Sequence, residues 1–167
     1  KCVNGVAPLG LNVAGSAKPH FVFYQEAMQY WAKATVGLPF YSKNGVVGAP
    51  AHGRYLYFNS GPSAAIVGGL LNSSLFYCYF IAFSDCFHLN DSLVRNFPMA
   101  DGITESTDLP KLGKALAKQL GSKAERTSIS TKDGDQIEYA EFNVAGSKPI
   151  LDEIDALLAA HYGLSEE

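Results

Sequence analysis

Residues 64–83, AAIVGGLLNSSLFYCYFIAF, are twenty consecutive positions without a charge, and their reading decides the fold. Length alone fits a membrane span. Three features favour a buried core element instead: Gly68-Gly69 and Asn72-Ser73-Ser74 dilute the hydrophobicity, no second such stretch follows, and no cluster of Lys or Arg flanks either end. The stretch is therefore expected to be one long helix buried on most sides. Its Asn72, Ser73 and Ser74 should hydrogen-bond locally or to a neighbouring loop, with none facing lipid.

The preceding segment is punctuated by Gly and Pro, and its apolar runs Phe21-Val22-Phe23-Tyr24 and Tyr55-Leu56-Tyr57-Phe58 read as strands of a loop-rich sheet. Residues 37–53 hold six Gly or Pro together with Tyr41, Lys43, Asn44 and His52, the composition of an exposed loop. After Phe97-Pro98-Met99 the texture becomes amphipathic. Thr107-Asp108 can cap a helix with Pro110 in its first turn, Leu109, Leu112, Leu116 and Leu120 on one face, and Gly121 as its stop. Thr127 to Ser130 and Gln136 to Val144 flank Lys132-Asp133-Gly134-Asp135 as a hairpin, with a register shift between Tyr139 and Phe142 that predicts a bulge. Ile150, Leu151, Ile154, Leu157, Leu158 and His161 then follow helical spacing between Pro149 and Gly163. The expected class is α+β: a loop-rich small sheet on a long buried apolar helix in residues 1–100, closed by a helix-hairpin-helix portion in residues 101–167 of the same domain.

A chain of 167 residues, 47% hydrophobic and 17% charged, is sufficient for one globular domain. It opens at Lys1 with neither a methionine nor a signal-peptide pattern, and Ser165-Glu166-Glu167 reads as the start of another helix, so a piece of a longer protein is expected. Cys2, Cys78 and Cys86 cannot all pair within the chain, which fits a reducing cytoplasm and no membrane. The net charge of -3 hides a split. Residues 1–100 carry six Lys and Arg against three acids, a balance of +3, whereas residues 101–167 carry seven against thirteen, a balance of -6. A polyanion should meet the first hundred residues.

Asp85-Cys86-Phe87-His88 could offer a thiolate and an imidazole to zinc, but a structural site needs four ligands at recognisable spacing. Cys78 or Cys86 could act as a nucleophile with His52, His88 or His161 as base, yet no strand-turn-helix elbow surrounds either, and buried structural thiols are expected. Neither a Gly-x-Gly-x-x-Gly fingerprint nor a phosphate loop ending in Gly-Lys-Ser occurs. The paired carboxylates Asp133 and Asp135, and Asp152, Glu153 and Asp155, read as solvated faces.

Two segments carry a family likeness. Leu70-Leu71-Asn72-Ser73-Ser74-Leu75-Phe76-Tyr77, continuing through Phe83-Ser84-Asp85-Cys86-Phe87-His88-Leu89-Asn90 to Asn96-Phe97-Pro98, resembles the C-terminal target-recognition region of Type IIG restriction-modification enzymes and related adenine-specific DNA methyltransferases. Lys148-Pro149-Ile150-Leu151-Asp152-Glu153-Ile154-Asp155 through Ala160-His161-Tyr162-Gly163-Leu164 and on to Glu167 resembles their closing helix. The resemblance implies a parent that transfers a methyl group from S-adenosylmethionine to adenine in double-stranded DNA and chooses its site through this part. The Asn-Pro-Pro-Tyr-type catalytic tetrapeptide of such enzymes is absent here, so the resemblance implies no catalytic residue and no cofactor in this chain. It implies S-adenosylmethionine in the parent and a catalytic methyltransferase domain as the intramolecular partner. Phe87 stands where the family often has a basic residue.

A DNA reader needs bases for phosphates and amides or guanidinium groups for base edges. Lys43, Asn44, Arg54, His88, Asn90 and Arg95 are the best-placed set, all in the basic half and near expected loops. A second reading makes the chain a protein-interaction module whose acidic helices dock on a catalytic domain or a partner subunit. A contiguous basic groove in the first half would favour DNA, and a large apolar patch on the second half would favour docking.

Overall fold

The computed structural model describes residues 6–28 and 31–164. Cys2 and the terminal Ser165-Glu166-Glu167 lie outside them. The fold is α+β. Nine strands run as β1 (Ala7–Pro8), β2 (His20–Gln25), β3 (Thr35–Val36), β4 (Tyr41–Lys43), β5 (Val46–Val47), β6 (Gly53–Phe58), β7 (Pro98–Met99), β8 (Glu125–Ser130) and β9 (Gln136–Glu141). Five α-helices complete the described residues: α1 (Gly61–Leu71), α2 (Ser74–Phe83), α3 (Asp91–Arg95), α4 (Leu109–Ser122) and α5 (Lys148–Tyr162).

The charge-free stretch is two helices, not one. They meet at a bend of 62°, and no single described helix is long and apolar enough to cross a membrane. The residues at the break explain it. Ser73 leaves helical geometry and its Oγ accepts the Phe76 N–H at 3.1 Å, the arrangement of a helix N-cap. Asn72 donates from Nδ2 to the carbonyls of Gly68 and Ala34, both at 2.8 Å, and accepts the Ala34 N–H through Oδ1 at 3.2 Å. A side chain that satisfies backbone groups better than the next helical turn would is a helix breaker. The expected local and loop hydrogen bonds are present, with Ser74 donating its backbone N–H to Asp155 on α5 at 2.9 Å. Burial divides at the same point: α1 is buried from Ala64 through Leu71, whereas α2 buries only Phe76 and Phe80 completely.

Three small antiparallel sheets surround this pair, ordered β1-β7, β3-β2-β6 and β5-β4-β9-β8. In the second, the faces alternate strictly. Val22, Tyr24, Leu56 and Phe58 are buried on the side of α1, and Phe21, Phe23, Tyr55 and Tyr57 line the other face as an aromatic layer. Gly53 is required there because a Cβ would come within 2.1 Å of the Phe23 ring. The third sheet joins the two halves of the sequence, since Tyr41, Ser42 and Lys43 pair with Tyr139, Glu138 and Ile137.

Residues 37–53 are therefore not simply a loop. Asn44-Gly45, with φ of 51° and 79°, turns a short hairpin between β4 and β5, as an Asn-Gly pair does when both central residues are left-handed. Two further expectations are corrected by hydrogen bonding. Pairing of β8 with β9 is continuous from Glu125–Glu141 to Ser130–Gln136, so there is no bulge and Phe142 simply lies beyond the strand. At the start of α4, Ser106 Oγ takes the Leu109 N–H at 3.2 Å while the Asp108 side chain makes no cap; α4 also runs through Gly121 to Ser122. The closing helix α5 begins beside Pro149 and ends at left-handed Gly163, as its spacing predicts.

One buried cluster draws on both halves, including Tyr24, Phe58, Val67, Phe76 and Phe97 from the first and Leu116, Leu120, Ile154 and Leu158 from the second. The helix α1 packs most extensively on α4, at a crossing so close that a Cβ on Gly113 would lie 2.0 Å from the Ala65 carbonyl oxygen.

Candidate nucleic-acid interface

The exit from α2 leads into an exposed turn at Asp85–His88 whose order comes from one carboxylate. Asp85 Oδ1 accepts the backbone N–H of Phe87 at 2.9 Å and of His88 at 2.6 Å, and Oδ2 lies 2.6 Å from His88 Nδ1. Those hydrogen bonds, led by the His88 backbone N–H and imidazole, pull the Asp85 carboxyl down to about 2. The turn is then bound to the second sheet: Met28 donates to the Phe87 carbonyl at 3.0 Å, and Leu89 donates to the Glu26 carbonyl at 2.7 Å. Asn90 caps α3 by accepting the Leu93 N–H at 2.7 Å.

Around this anchor the structure gathers four of the six sequence-selected residues. Arg95 donates through Nε to Asp91 at 2.6 Å, and Asp91 also accepts the Tyr24 hydroxyl at 3.1 Å. Tyr24 is the cross-strand partner of Arg54, which is itself ion-paired with Glu26. Burial, followed by the Asp91 charge, holds the Tyr24 hydroxyl well above the usual phenol range. His88, Asn90, Arg95 and Arg54 thus share one end of β2. Lys43 and Asn44 sit apart on the β4–β5 hairpin, where both engage Asp135: Lys43 Nζ at 2.5 Å and Asn44 Nδ2 at 2.8 Å. Asn44 Oδ1 also accepts the Gln136 N–H at 2.8 Å, so this residue ties one hairpin to the other.

Three of the selected residues are cations held by an acid, Lys43 by Asp135, Arg54 by Glu26 and Arg95 by Asp91, and His88 hydrogen-bonds to Asp85. Among the described first-half Lys and Arg, Lys18 and Lys33 are in no ion pair. Ile81, Phe83 and Phe87 are exposed at the end of α2, in the first half and beside the Asp85–His88 turn. Cys78 and Cys86 are both exposed, contrary to the expected buried thiols. Cys78 falls on the outward side of α2, and the left-handed backbone at Cys86 (φ 60°) places it in the open turn. His88 is engaged by Asp85, and among the described residues no three His, Cys, Asp or Glu side chains converge as a metal group would.

Phe97 and Pro98 tie α2 to the end of α5. Phe97 is fully buried, with ring centroids 5.4 Å from Phe76, 5.0 Å from Tyr79 and 6.2 Å from Tyr162. Tyr162 donates its hydroxyl to the Pro98 carbonyl at 2.5 Å, and burial pushes that hydroxyl up to about 12. Asn72-Ser73-Ser74, Phe97-Pro98 and α5 are therefore one packed assembly, and the Asp85–His88 turn is left in solvent.

Sequence reading missed a second concave feature. A groove of about 510 Å³ opens between the aromatic face of β2 and the β4–β9 pair, lined by Gln25, Trp31, Lys33, Phe40, Tyr41 and Tyr139 among others. Its parts come from five separated stretches, so no local motif announces it. Lys33 carries one structural mark: its backbone is left-handed (φ 51°), next to Ala34, whose N–H and carbonyl are both bound by Asn72. Searches against family models, curated proteins and solved structures found no match to this chain.

Proposed function

We propose that the chain is a DNA target-recognition domain, without catalytic groups of its own, of an adenine-specific DNA methyltransferase from a restriction-modification system. The observation that carries this reading is the polar turn. His88, Asn90 and Arg95 stand on backbone fixed by Asp85, Asn90 itself and the Glu26 and Met28 backbone just after β2, with Arg54 alongside. Preorganised imidazole and guanidinium groups on a rigid support suit the reading of base edges. Because Glu26, Asp85 and Asp91 offset the nearby cations, phosphate neutralisation would come mainly from the catalytic domain that binds S-adenosylmethionine and the target adenine.

Substitution in the longer methyltransferase separates reading from positioning. Arg54→Gln or Arg95→Gln should cost roughly 1–3 kcal/mol and relax the choice at one base pair if the guanidinium reads an edge. Lys132→Gln, on the exposed tip between β8 and β9, should change neither rate nor site. Unchanged site choice after replacing Arg54, His88, Asn90 and Arg95 together would refute the reading.

The second reading, a docking module, draws on Ile81, Phe83 and Phe87, which leave an apolar patch in solvent at the end of α2. The two readings are compatible if that patch seats the catalytic domain beside the turn. Loss of assembly on Phe83→Ser with site choice preserved would favour docking alone.

A further inference from the structure

We propose that the groove between β2 and the β4–β9 pair is a binding site for a single unpaired nucleotide unit, a planar base carrying a phosphate. Its volume, about 510 Å³, lies within the range of small-ligand sites and exceeds what one base needs. The walls are rings: Trp31, Phe40, and the cross-strand partners Tyr41 and Tyr139, which share one face of the third sheet. Ring-lined clefts hold bases by stacking, an attraction every base offers through its π face.

The polar groups give the rest of the chemistry. Lys33 lines the groove, half-buried, and makes no ion pair among the described residues, unlike Lys43, Arg54 and Arg95. An ammonium beside stacking rings matches a phosphate attached to a base. Gln25 and Glu141 also face the groove, an amide and a carboxylate able to meet base amino and ring-nitrogen positions, with Thr127 donating to the Glu141 carboxylate at 2.7 Å. The strained backbone at Lys33 adjoins Ala34, whose N–H and carbonyl are both bound by Asn72, so the residue that breaks the long apolar stretch also sits next to one end of this groove.

The site rests on the recognition reading only for its ligand's source, which would be a base extruded from a strand; a free mononucleotide offers the same chemistry. Trp31 is the only tryptophan in the chain, so its fluorescence reports the groove directly. Adenosine and cytidine monophosphates, short single-stranded oligonucleotides, ribose 5-phosphate and a proline-rich peptide would each be titrated against the 167-residue chain. Saturable quenching by the nucleotides and not by ribose 5-phosphate is expected. Tyr139→Leu should weaken it roughly tenfold through lost stacking. Lys33→Asn, which tolerates the left-handed backbone, should weaken it several-fold and flatten its salt dependence. Tighter binding of oligonucleotides than of mononucleotides assigns the strand as source, and equal binding assigns the free nucleotide. The proposal is overturned if no nucleotide quenches, if folded Lys33→Asn and Tyr139→Leu bind as the parent does, or if the peptide alone quenches. Saturable nucleotide quenching with unchanged site choice after replacing Arg54, His88, Asn90 and Arg95 together would sink the recognition reading and leave the groove standing.

Discussion

Asn72 holds three backbone groups while 7% exposed, and Asp85 holds two while in full solvent, so equal-looking polar residues do unequal work. Asn72→Ala strands the N–H and carbonyl of Ala34 in the interior and should cost about 2–4 kcal/mol, read as a lower denaturation midpoint at unchanged slope. For Asp85 the sign follows from a carboxyl lowered from 3.8 to about 2 on folding. Whatever it contributes is complete above the unfolded value and disappears as pH falls from near 4 through 2. Carboxyl resonances should give a midpoint near 2 for Asp85, and a midpoint at or above 3.8 would show the turn unformed in solution. Asn72 was legible in part, since it was expected to hydrogen-bond locally or to a neighbouring loop, but its partner was not, and Asp85 read only as a neighbour of a possible thiolate-imidazole pair. Each depends on a partner supplied by folding, Ala34 in one case and the turned-back His88 in the other.

Helix and strand types were legible wherever one face is buried and spacing is regular: α4, α5, β2 and the β8–β9 hairpin follow their patterns closely. Reading failed where capping competes with periodicity. The charge-free run of twenty residues conceals its break because Ser73 can be helical or cap, and only the Phe76 N–H decides. Asn44-Gly45 was a hairpin signal overlooked among many glycines, since the strands beside it are only three and two residues long. Two glycines in α4 test whether packing or propensity rules that helix. Gly113→Ala drives a methyl into the Ala65 carbonyl at the α1 crossing and should destabilise by about 3 kcal/mol or more. Gly121→Ala meets nothing within 4 Å and should stabilise by roughly 0.5–1 kcal/mol. Opposite shifts in melting temperature are expected, and a neutral Gly113→Ala would mean that α1 and α4 do not cross as described.

The sequence divides its charge into a basic first half and an acidic second, yet folding intermixes them: β4 pairs with β9, and Lys43 meets Asp135 across that seam. Linear charge therefore predicted free cations at Lys43, Arg54 and Arg95, and folding pairs each of them with an acid. What the proposal relies on is local, the polar turn with Arg54 and Arg95 around Tyr24. If that turn reads DNA, its paired cations imply weak binding by this chain alone and a shallow dependence on salt, because few counterions are released. Weak binding is still mappable. Amide resonances of the isotopically labelled chain, followed during titration with duplex DNA at low ionic strength, should shift at Asp85–Arg95 and around Arg54 and stay fixed along β8 and α5. Shifts confined to β8, β9 or α5, or none anywhere at saturating duplex, would contradict the assignment of this turn as the DNA-reading surface.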